Sequence, residues 1–195
     1  MQVGDESFEI HSGGAEGADS IFDEYAPKEA IVYHHSFKGH KISPTVKGEV
    51  VLHTYEELMF LKDKYSECCN MLKKRESDNL YIQQLCLRNW FQVKNSKLII
   101  AIVKNINDQK NCICEGGTGY AIMYAKMLKK PILVFNQKDN IWYFSNLGKG
   151  LVESKKQSPT WEMAKFKNIA GIGTREINSY GINAIKNFLN GGIKK

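Results

Sequence analysis

Three glycine-rich segments contain the residue types that bind anions. They are Ser12, Gly13, Gly14 and Gly17; then Gly116, Gly117, Thr118 and Gly119; then Gly171, Gly173, Thr174 and Arg175. Glycine lets backbone N–H groups approach an anion closely, and the hydroxyl groups add donors or cap the following helices. The spacing matches neither GxGxxG nor GxxxxGKS/T, so the pattern alone predicts a generic phosphate-type site. A tight turn without a ligand is the structural alternative for each segment.

Each segment lies between an apolar strand pattern and a helical pattern, which indicates parallel crossover units. The β-branched runs predict strands at 7–11, 30–34, 97–103, 131–136 and 167–172. Parallel strands end at a common edge, and ligands of open α/β sheets bind there. The sequence therefore predicts that the three turns share one edge and one ligand site.

The rest of the chain divides into helices and loops. Thr54 and Glu57 fit a capping box, and apolar residues repeat at three or four positions after them. The remaining predictions are a loop over 36–53 with a short strand at 50–52, helices at 54–76 and 79–93, an exposed loop at 105–112, an edge strand at 141–144, and irregular chain over 145–162.

These elements predict a single α/β domain over 1–195 with a helical excursion at about 54–93. We expect a Rossmann-like three-layer sandwich, with a mostly parallel sheet and helices on both faces. The 195 residues suit one domain with a substantial core. No apolar run is long enough for a membrane helix and the start is not signal-like, so we expect a cytoplasmic protein without a membrane partner.

The net charge and the cysteine content limit the classes of ligand and partner that we expect. The net charge is +6, and its lysines are scattered, which favours a solvated surface over a nucleic-acid groove. The five cysteines are an odd number and lack CxxC spacing, which indicates reduced thiols and no metal site. We therefore expect neither a metal nor a resident cofactor, but a nucleotide-type ligand.

The segments 11–19, 116–119 and 170–176 together resemble the SLOG superfamily, which includes lysine-decarboxylase-like phosphoribohydrolases and the DprA-like and YpsA-type proteins. The segment 88–93 resembles the helix before the central strand in phage-type members. In those relatives the turn similar to 170–176 comes first, whereas here it is last, so the chain resembles a circularly permuted phage or bacterial member. The resemblance implies a Rossmann-like nucleotide-binding domain that forms homodimers or larger assemblies.

The resemblance does not extend to the catalytic glutamate of the enzymatic branch. Alignment of the second turn puts Met123 at that position, and Glu115 replaces the branch's proline. A methionine side chain cannot donate or accept a proton as a general acid or base. The inherited hydrolytic chemistry is therefore not expected at that position.

Charged side chains near the turns are candidate ligand or catalytic residues. Asp19 suits ribose hydroxyls or the donors of a base, or else it satisfies the turn's own amides. Glu16, Glu115 and Glu176 join Asp19 as candidate general acids or bases. The alternative for Glu16 and Glu115 is that each is an exposed loop carboxylate without a catalytic role. Arg175 suits bidentate phosphate binding or a salt bridge to Glu176.

Three further residues are candidates because of their position beside the turns. His11 ends the first strand and suits phosphate binding, titration or a structural role. Arg88 and Asn89 can reach over the turns or can fix neighbouring backbone. Their place in the sequence pattern alone makes these three residues candidates.

Two functions follow from these residues. The first is a sensor or sequestering protein that binds a nucleotide-derived small molecule. The resemblance to the SLOG superfamily implies a ligand of the ADP-ribose or cyclic nucleotide type. The second is a nucleotide hydrolase that cleaves an N-glycosidic or phosphate bond. Apolar surface on helices 54–76 and 79–93 predicts a homodimer or larger assembly, unless these helices pack within the monomer.

Overall fold

The computed structural model describes residues 7–146, 148–154 and 166–191. Its described strands are β1 (Glu9–Ser12), β2 (Ile31–Phe37), β3 (Glu49–His53), β4 (Leu98–Val103), β5 (Ile106–Asp108), β6 (Ile113–Cys114), β7 (Ile132–Asn136), β8 (Ile141–Ser145), β9 (Val152–Glu153) and β10 (Asn168–Gly173). Its described helices are α1 (Ala18–Glu24), α2 (Tyr55–Met59), α3 (Lys62–Leu72), α4 (Leu80–Lys94), α5 (Thr118–Met127) and α6 (Ser179–Gly191).

The main sheet has eight strands in the order β3-β2-β1-β10-β4-β7-β8-β9. The pairs from β3 to β7 are parallel, and β8 and β9 are added antiparallel at one side. The five predicted parallel strands are all present, with ends that differ by at most three residues. The last strand, β10, lies between β1 and β4. The first and third glycine-rich turns follow β1 and β10 directly, and the second follows β4 after the intervening strands β5 and β6.

The sheet separates two apolar layers, as the side-chain alternation of a fully buried strand requires. In β4, Ile99 and Ala101 face a core built with α3, α4 and α5. Its neighbours Ile100 and Ile102 face the other core, with α1 and α6. The predicted three-layer α/β sandwich is therefore confirmed.

The predicted helix at 54–76 is wrong as a continuous element. The Thr54–Glu57 capping box is present and starts α2, but the chain turns at Phe60 and Leu61 before α3. Leu61 packs against the core, whereas Phe60 is 89% exposed. The turn separates α2 from α3, and α3 packs against α4 and α5.

The segment 105–112 is not a simple exposed loop. It contributes β5 to a two-stranded antiparallel hairpin with β6. The Asp108 carboxylate accepts hydrogen bonds from the Asn111 backbone N–H at 3.0 Å and side-chain amide at 2.8 Å. These contacts close the turn and leave Cys112 buried.

Two predictions near the carboxyl-terminal part of the sheet also need correction. The strand predicted at 141–144 is β8, but β9 pairs with it, so β8 is not the edge. Val152 and Glu153 form this two-residue edge strand inside the segment predicted to be irregular. The remainder of that segment from residue 155 lies outside the described residues. None of the described helices is long and apolar enough to cross a membrane.

Candidate functional site

The three glycine-rich turns meet at a pocket of about 440 Å³ at the carboxyl edge of the central strands. Its walls come from the three turns and from one face of α4, and consist of Ala15, Asp19, Tyr81, Ile82, Leu85, Cys86, Arg88, Asn89, Lys104, Glu115, Gly116, Gly117, Thr118, Ile172, Gly173, Thr174, Arg175 and Glu176. The volume lies within the roughly 300–1,000 Å³ range of small-molecule pockets. The arrangement can hold a small molecule.

The second turn presents open backbone donors to this pocket. A Cβ atom built on Gly116 or Gly117 has no neighbour within 4 Å, and Gly116 has a φ of 79°. Helix α5 starts at Thr118 without a side-chain cap, and within the described residues the N–H groups of Gly117 and Thr118 have no hydrogen-bond acceptor. Unsatisfied N–H groups at a helix N-terminus favour a negatively charged ligand.

Gly119, which belongs to the same motif, has a packing role. A Cβ atom at this position would lie 2.6 Å from the Cys114 carbonyl oxygen. The start of α5 can approach β6 only because residue 119 has no side chain. This contact by itself accounts for glycine at 119.

Arg88 and Asp19 form the buried charged centre beside the first turn. The Asp19 Oδ2 and the Arg88 guanidinium NH2 group are 4.0 Å apart, and both side chains are more than 90% buried. Arg88 also donates to the His35 carbonyl oxygen at 3.2 Å. Its Nε has no hydrogen-bond partner among the described residues. Burial lowers the pKa of Arg88 and raises that of Asp19, while their mutual attraction opposes both shifts.

The Arg88 guanidinium packs against the first turn at Gly13. A Cβ atom on Gly13 would lie 1.6 Å from a terminal nitrogen of the Arg88 guanidinium, which occupies the space of the missing side chain. The Gly14 N–H donates to Ser12 Oγ at 3.3 Å, and the Ser12 hydroxyl donates to the Asp19 carbonyl at 3.4 Å. Ser12 and Gly13 therefore have observed structural roles, and any ligand contact they make stays a prediction.

Asp19 joins the first turn to the third. Its Oδ1 accepts a hydrogen bond from the Gly173 N–H at 3.1 Å, and the Ala15 N–H is a further donor. Gly17, at a φ of 96°, would place a Cβ only 2.5 Å from the Arg175 backbone. The alternative role of Asp19, satisfying the amides of the turns themselves, is the one these contacts show.

The glycines of the third turn are packing residues. A Cβ on Gly171 would lie 2.5 Å from the Phe22 ring, and one on Gly173 would lie 2.4 Å from Ala18 Cβ. Helix α1 therefore packs directly against β10. The Thr174 N–H donates to the Ile102 carbonyl, and Thr174 Oγ accepts from the Glu176 N–H at 3.3 Å. The third turn thus offers the pocket fewer free amides than the second.

Arg175 is an exposed cation at the pocket wall. The alternative in which it pairs with Glu176 is not observed, because Glu176 forms its ion pair with Lys104. Within the described part of the chain, Arg175 has no carboxylate partner. Arg175 is therefore available to an anionic ligand.

The candidate acids have different positions. Glu115 and Glu176 are exposed at the pocket wall, whereas Glu16 is exposed and does not line the pocket.

Asn89 is buried at the pocket wall, and its Oδ1 accepts a hydrogen bond from Gln92 Nε2 at 3.4 Å. Met123 is only 1% exposed and belongs to the core. Position 123 therefore offers nothing to a ligand.

His11 lies outside the pocket, in a buried chain of rings that we name the histidine row (His11, His35 and His53). His11 Nδ1 is 3.0 Å from His35 Nε2, and His35 Nδ1 is 2.9 Å from His53 Nε2. Glu9 lies 3.7 Å from His11 at one end, and Glu57 lies 3.8 Å from His53 at the other. In the strand register, His11 lies opposite Tyr33 and His35 lies opposite Val51, so each histidine is two residues from the position opposite its neighbour and the three rings share one face of the sheet.

The histidine row is electrostatically neutral in its favoured state. Burial and the neighbouring histidines lower the pKa of His35 to about 3. Burial also lowers the pKa values of His11 and His53. In neutral rings, one nitrogen of each close pair carries the hydrogen and the other accepts it. The structural role of His11 is the one observed.

Some pocket residues were not predicted from the sequence. Tyr81, Ile82 and Leu85 precede Arg88 and Asn89 by one or two turns of α4, and Lys104 follows β4 directly. A helix repeats its face every three to four residues, so the position of Arg88 could have indicated them. They give the pocket an aromatic and apolar part of its lining.

No group of three or more histidine, cysteine, aspartate or glutamate side chains within residues 7–146, 148–154 and 166–191 is arranged to hold a metal ion. All five cysteines are free and buried. Comparisons with protein-family models, with curated proteins and with solved structures found no match to the chain.

Proposed function

We propose that the protein binds a nucleotide or nucleotide-derived small molecule at this pocket and acts as a sensor or sequestering protein. The observation that carries the proposal is the pair of unsatisfied N–H groups of Gly117 and Thr118 at the start of α5. A phosphate is among the anions that such a helix terminus binds. Arg175 supplies a cation at the same pocket.

The part of the lining that α4 supplies supports a ligand with a flat apolar part. Tyr81, Ile82 and Leu85 lie on the pocket side of α4, and Asn89 can offer an amide to the edge of a base. One molecule that carries a phosphate and a base can contact both parts of the lining. The similarity of the turns to the SLOG superfamily supports the same ligand class, including ADP-ribose-like and cyclic nucleotide molecules.

Binding without turnover is favoured by the position of residue 123. The enzymatic SLOG branch uses a glutamate there, and Met123 is buried in the core instead. Hydrolysis of an N-glycosidic or phosphate bond is the second candidate, because Glu115 lies beside the free donors of the second turn. Glu115 would then act as the general base.

The experiment is a titration of a nucleotide panel by calorimetry, followed by mass spectrometry of each mixture after long incubation. We expect a saturable site for at least one phosphorylated ligand and recovery of that ligand intact. Conversion that disappears in Glu115→Gln would establish the hydrolase. Absence of binding across phosphorylated ligands, for a folded protein, would contradict both functions.

A further inference from the structure

The Asp19 and Arg88 side chains line the pocket together but are not hydrogen-bonded to each other. Asp19 Oδ2 and the Arg88 NH2 group are 4.0 Å apart, which is beyond hydrogen-bonding distance. The Arg88 guanidinium donates to the His35 carbonyl oxygen, and its Nε has no hydrogen-bond partner among the described residues. A gap therefore separates the two charged groups of this buried ion pair.

The surrounding backbone holds the two sides of this gap in place. The Gly173 N–H donates to Asp19 Oδ1 at 3.1 Å, which anchors the carboxylate on the third turn. The Arg88 guanidinium is anchored by its hydrogen bond of 3.2 Å to the His35 carbonyl oxygen. It also fills the space that a side chain at Gly13 would need. Because the two side chains are anchored on different segments, closing the gap would lengthen one of these contacts.

The width of the gap matches one bridging hydroxyl group. Two hydrogen bonds of about 2.8 Å that meet at one oxygen atom span about 4.0–4.6 Å when the angle between them is about 90–110°. A hydroxyl oxygen in the gap would accept a hydrogen bond from the Arg88 NH2 group and donate its own hydrogen to Asp19 Oδ2. The separation of 4.0 Å between these two atoms therefore fits a single hydroxyl.

The charges of the pair favour a hydroxyl over the other polar groups of a nucleotide. Arg88 and Asp19 carry opposite charges, so the pair as a whole offers a phosphate no net positive charge. A phosphate oxygen in the gap would be repelled by the Asp19 carboxylate, and an amino group of a base would lack an acceptor on the Arg88 side. A hydroxyl is both a donor and an acceptor, and the hydroxyl groups of a nucleotide belong to its ribose.

We propose that the Arg88–Asp19 pair binds the 2′- or 3′-hydroxyl of the ribose, so that the pocket selects ribonucleotides over their 2′,3′-dideoxy counterparts. This inference rests on the proposed function, since it requires a nucleotide in the pocket. The phosphate then lies at the free amides of Gly117 and Thr118, and the ribose lies at the charged pair in the same pocket. The hydroxyl supplies a hydrogen bond to each of two buried charged groups that do not bond each other.

Calorimetric titration with matched pairs of nucleotides tests the inference on the wild-type protein. The probes are AMP, GMP, CMP and UMP, each beside its 2′,3′-dideoxy counterpart, which keeps the base and the phosphate. We expect each dideoxy compound to bind at least about tenfold more weakly than the ribonucleotide, because two charge-assisted hydrogen bonds are lost. Equal affinities within the pairs, or no binding by all four ribonucleotides, would overturn the inference. The proposed function is contradicted separately, only when every phosphorylated compound of the larger panel fails to bind.

Lysine substitutions test whether Arg88 is responsible for the selection. Arg88→Lys keeps a positive charge beside Asp19, but its ammonium group ends short of the position of the NH2 group and loses the hydroxyl. The matched control is Arg175→Lys, the same substitution at the exposed arginine of the same pocket. Arg88→Lys should reduce the affinity ratio between ribonucleotide and dideoxynucleotide to below about threefold, whereas Arg175→Lys should weaken both compounds and keep the ratio. An unchanged ratio in folded Arg88→Lys would refute the role of the pair, and the wild-type comparison decides by itself should this variant fail to fold.

Discussion

Replacement of His35 by asparagine should flatten the acid dependence of stability. The His35 ring lies between His11 and His53, and its pKa is lowered from 6.5 to about 3. Because the pKa is lowered only in the folded state, His35 of the unfolded chain binds a proton below about pH 6.5, whereas His35 of the folded chain stays unprotonated until the pH approaches 3. The stability supplied by neutral His35 is therefore complete above that pH and is lost as the pH falls toward 3.

The size of the effect follows from the two pKa values. At pH 5, protonation of an ordinary histidine in the unfolded state favours unfolding by about 2 kcal/mol. The folded state gains almost no compensating free energy, because its His35 is almost entirely unprotonated at that pH. His35→Asn removes this contribution and leaves the carboxylates unchanged. The variant should also lose about 1–3 kcal/mol at pH 7, because the neighbouring rings lose a buried hydrogen-bond partner.

Urea unfolding at pH 7 and pH 5 measures the effect. The loss of stability between the two pH values should be about 2 kcal/mol smaller in His35→Asn than in wild type. Val51→Ala, on the neighbouring strand, is the control: it should lower stability without changing the pH dependence. An unchanged difference between the two pH values in His35→Asn would refute the neutral histidine row.

The other predictions concern the charged groups of the pocket. Asp19→Asn should destabilise the fold by about 3 kcal/mol because Arg88 keeps a buried charge without its carboxylate, whereas Glu16→Gln in the same turn should stay within about 0.5 kcal/mol of wild type in urea. An Asp19→Asn variant as stable as wild type would exclude this pairing. Arg175→Ala should weaken binding of a phosphorylated ligand by about 1.5–3 kcal/mol in calorimetry with unchanged stability, and Lys28→Ala, an exposed residue before β2, should change neither. Equal affinities of Arg175→Ala and wild type would remove Arg175 from the site.

The sheet could be predicted because its strands are continuous apolar runs. Residues 97–103 and 131–136 match β4 and β7 to within one residue. The hairpin of β5 and β6 was missed because its stability comes from Asp108 side-chain contacts and from burial of Cys112, neither of which produces a periodic pattern. The turn at Phe60 was missed because helical periodicity continues across it.

The roles of the glycines could not be separated from sequence alone. Gly117 faces open space, whereas Gly171 and Gly173 are required by contacts with Phe22 and Ala18. All of them follow the same strand-to-helix pattern, and the difference depends on which helix packs against which strand. The histidine row had no signal either, since its rings are 18 and 24 residues apart and meet only through strand register.

The central claim is that the free amides of Gly117 and Thr118 hold an anion. Gly117→Asp places a carboxylate at the same helix terminus, where it occupies and repels the site while the helix dipole stabilises it. Gly117→Asn is the uncharged control of equal size, and open space around residue 117 accommodates both. Calorimetric titration with the phosphorylated ligand that binds wild type should show no binding to Gly117→Asp and measurable binding to Gly117→Asn. A folded Gly117→Asp variant that binds as tightly as wild type would contradict an anion site at this turn.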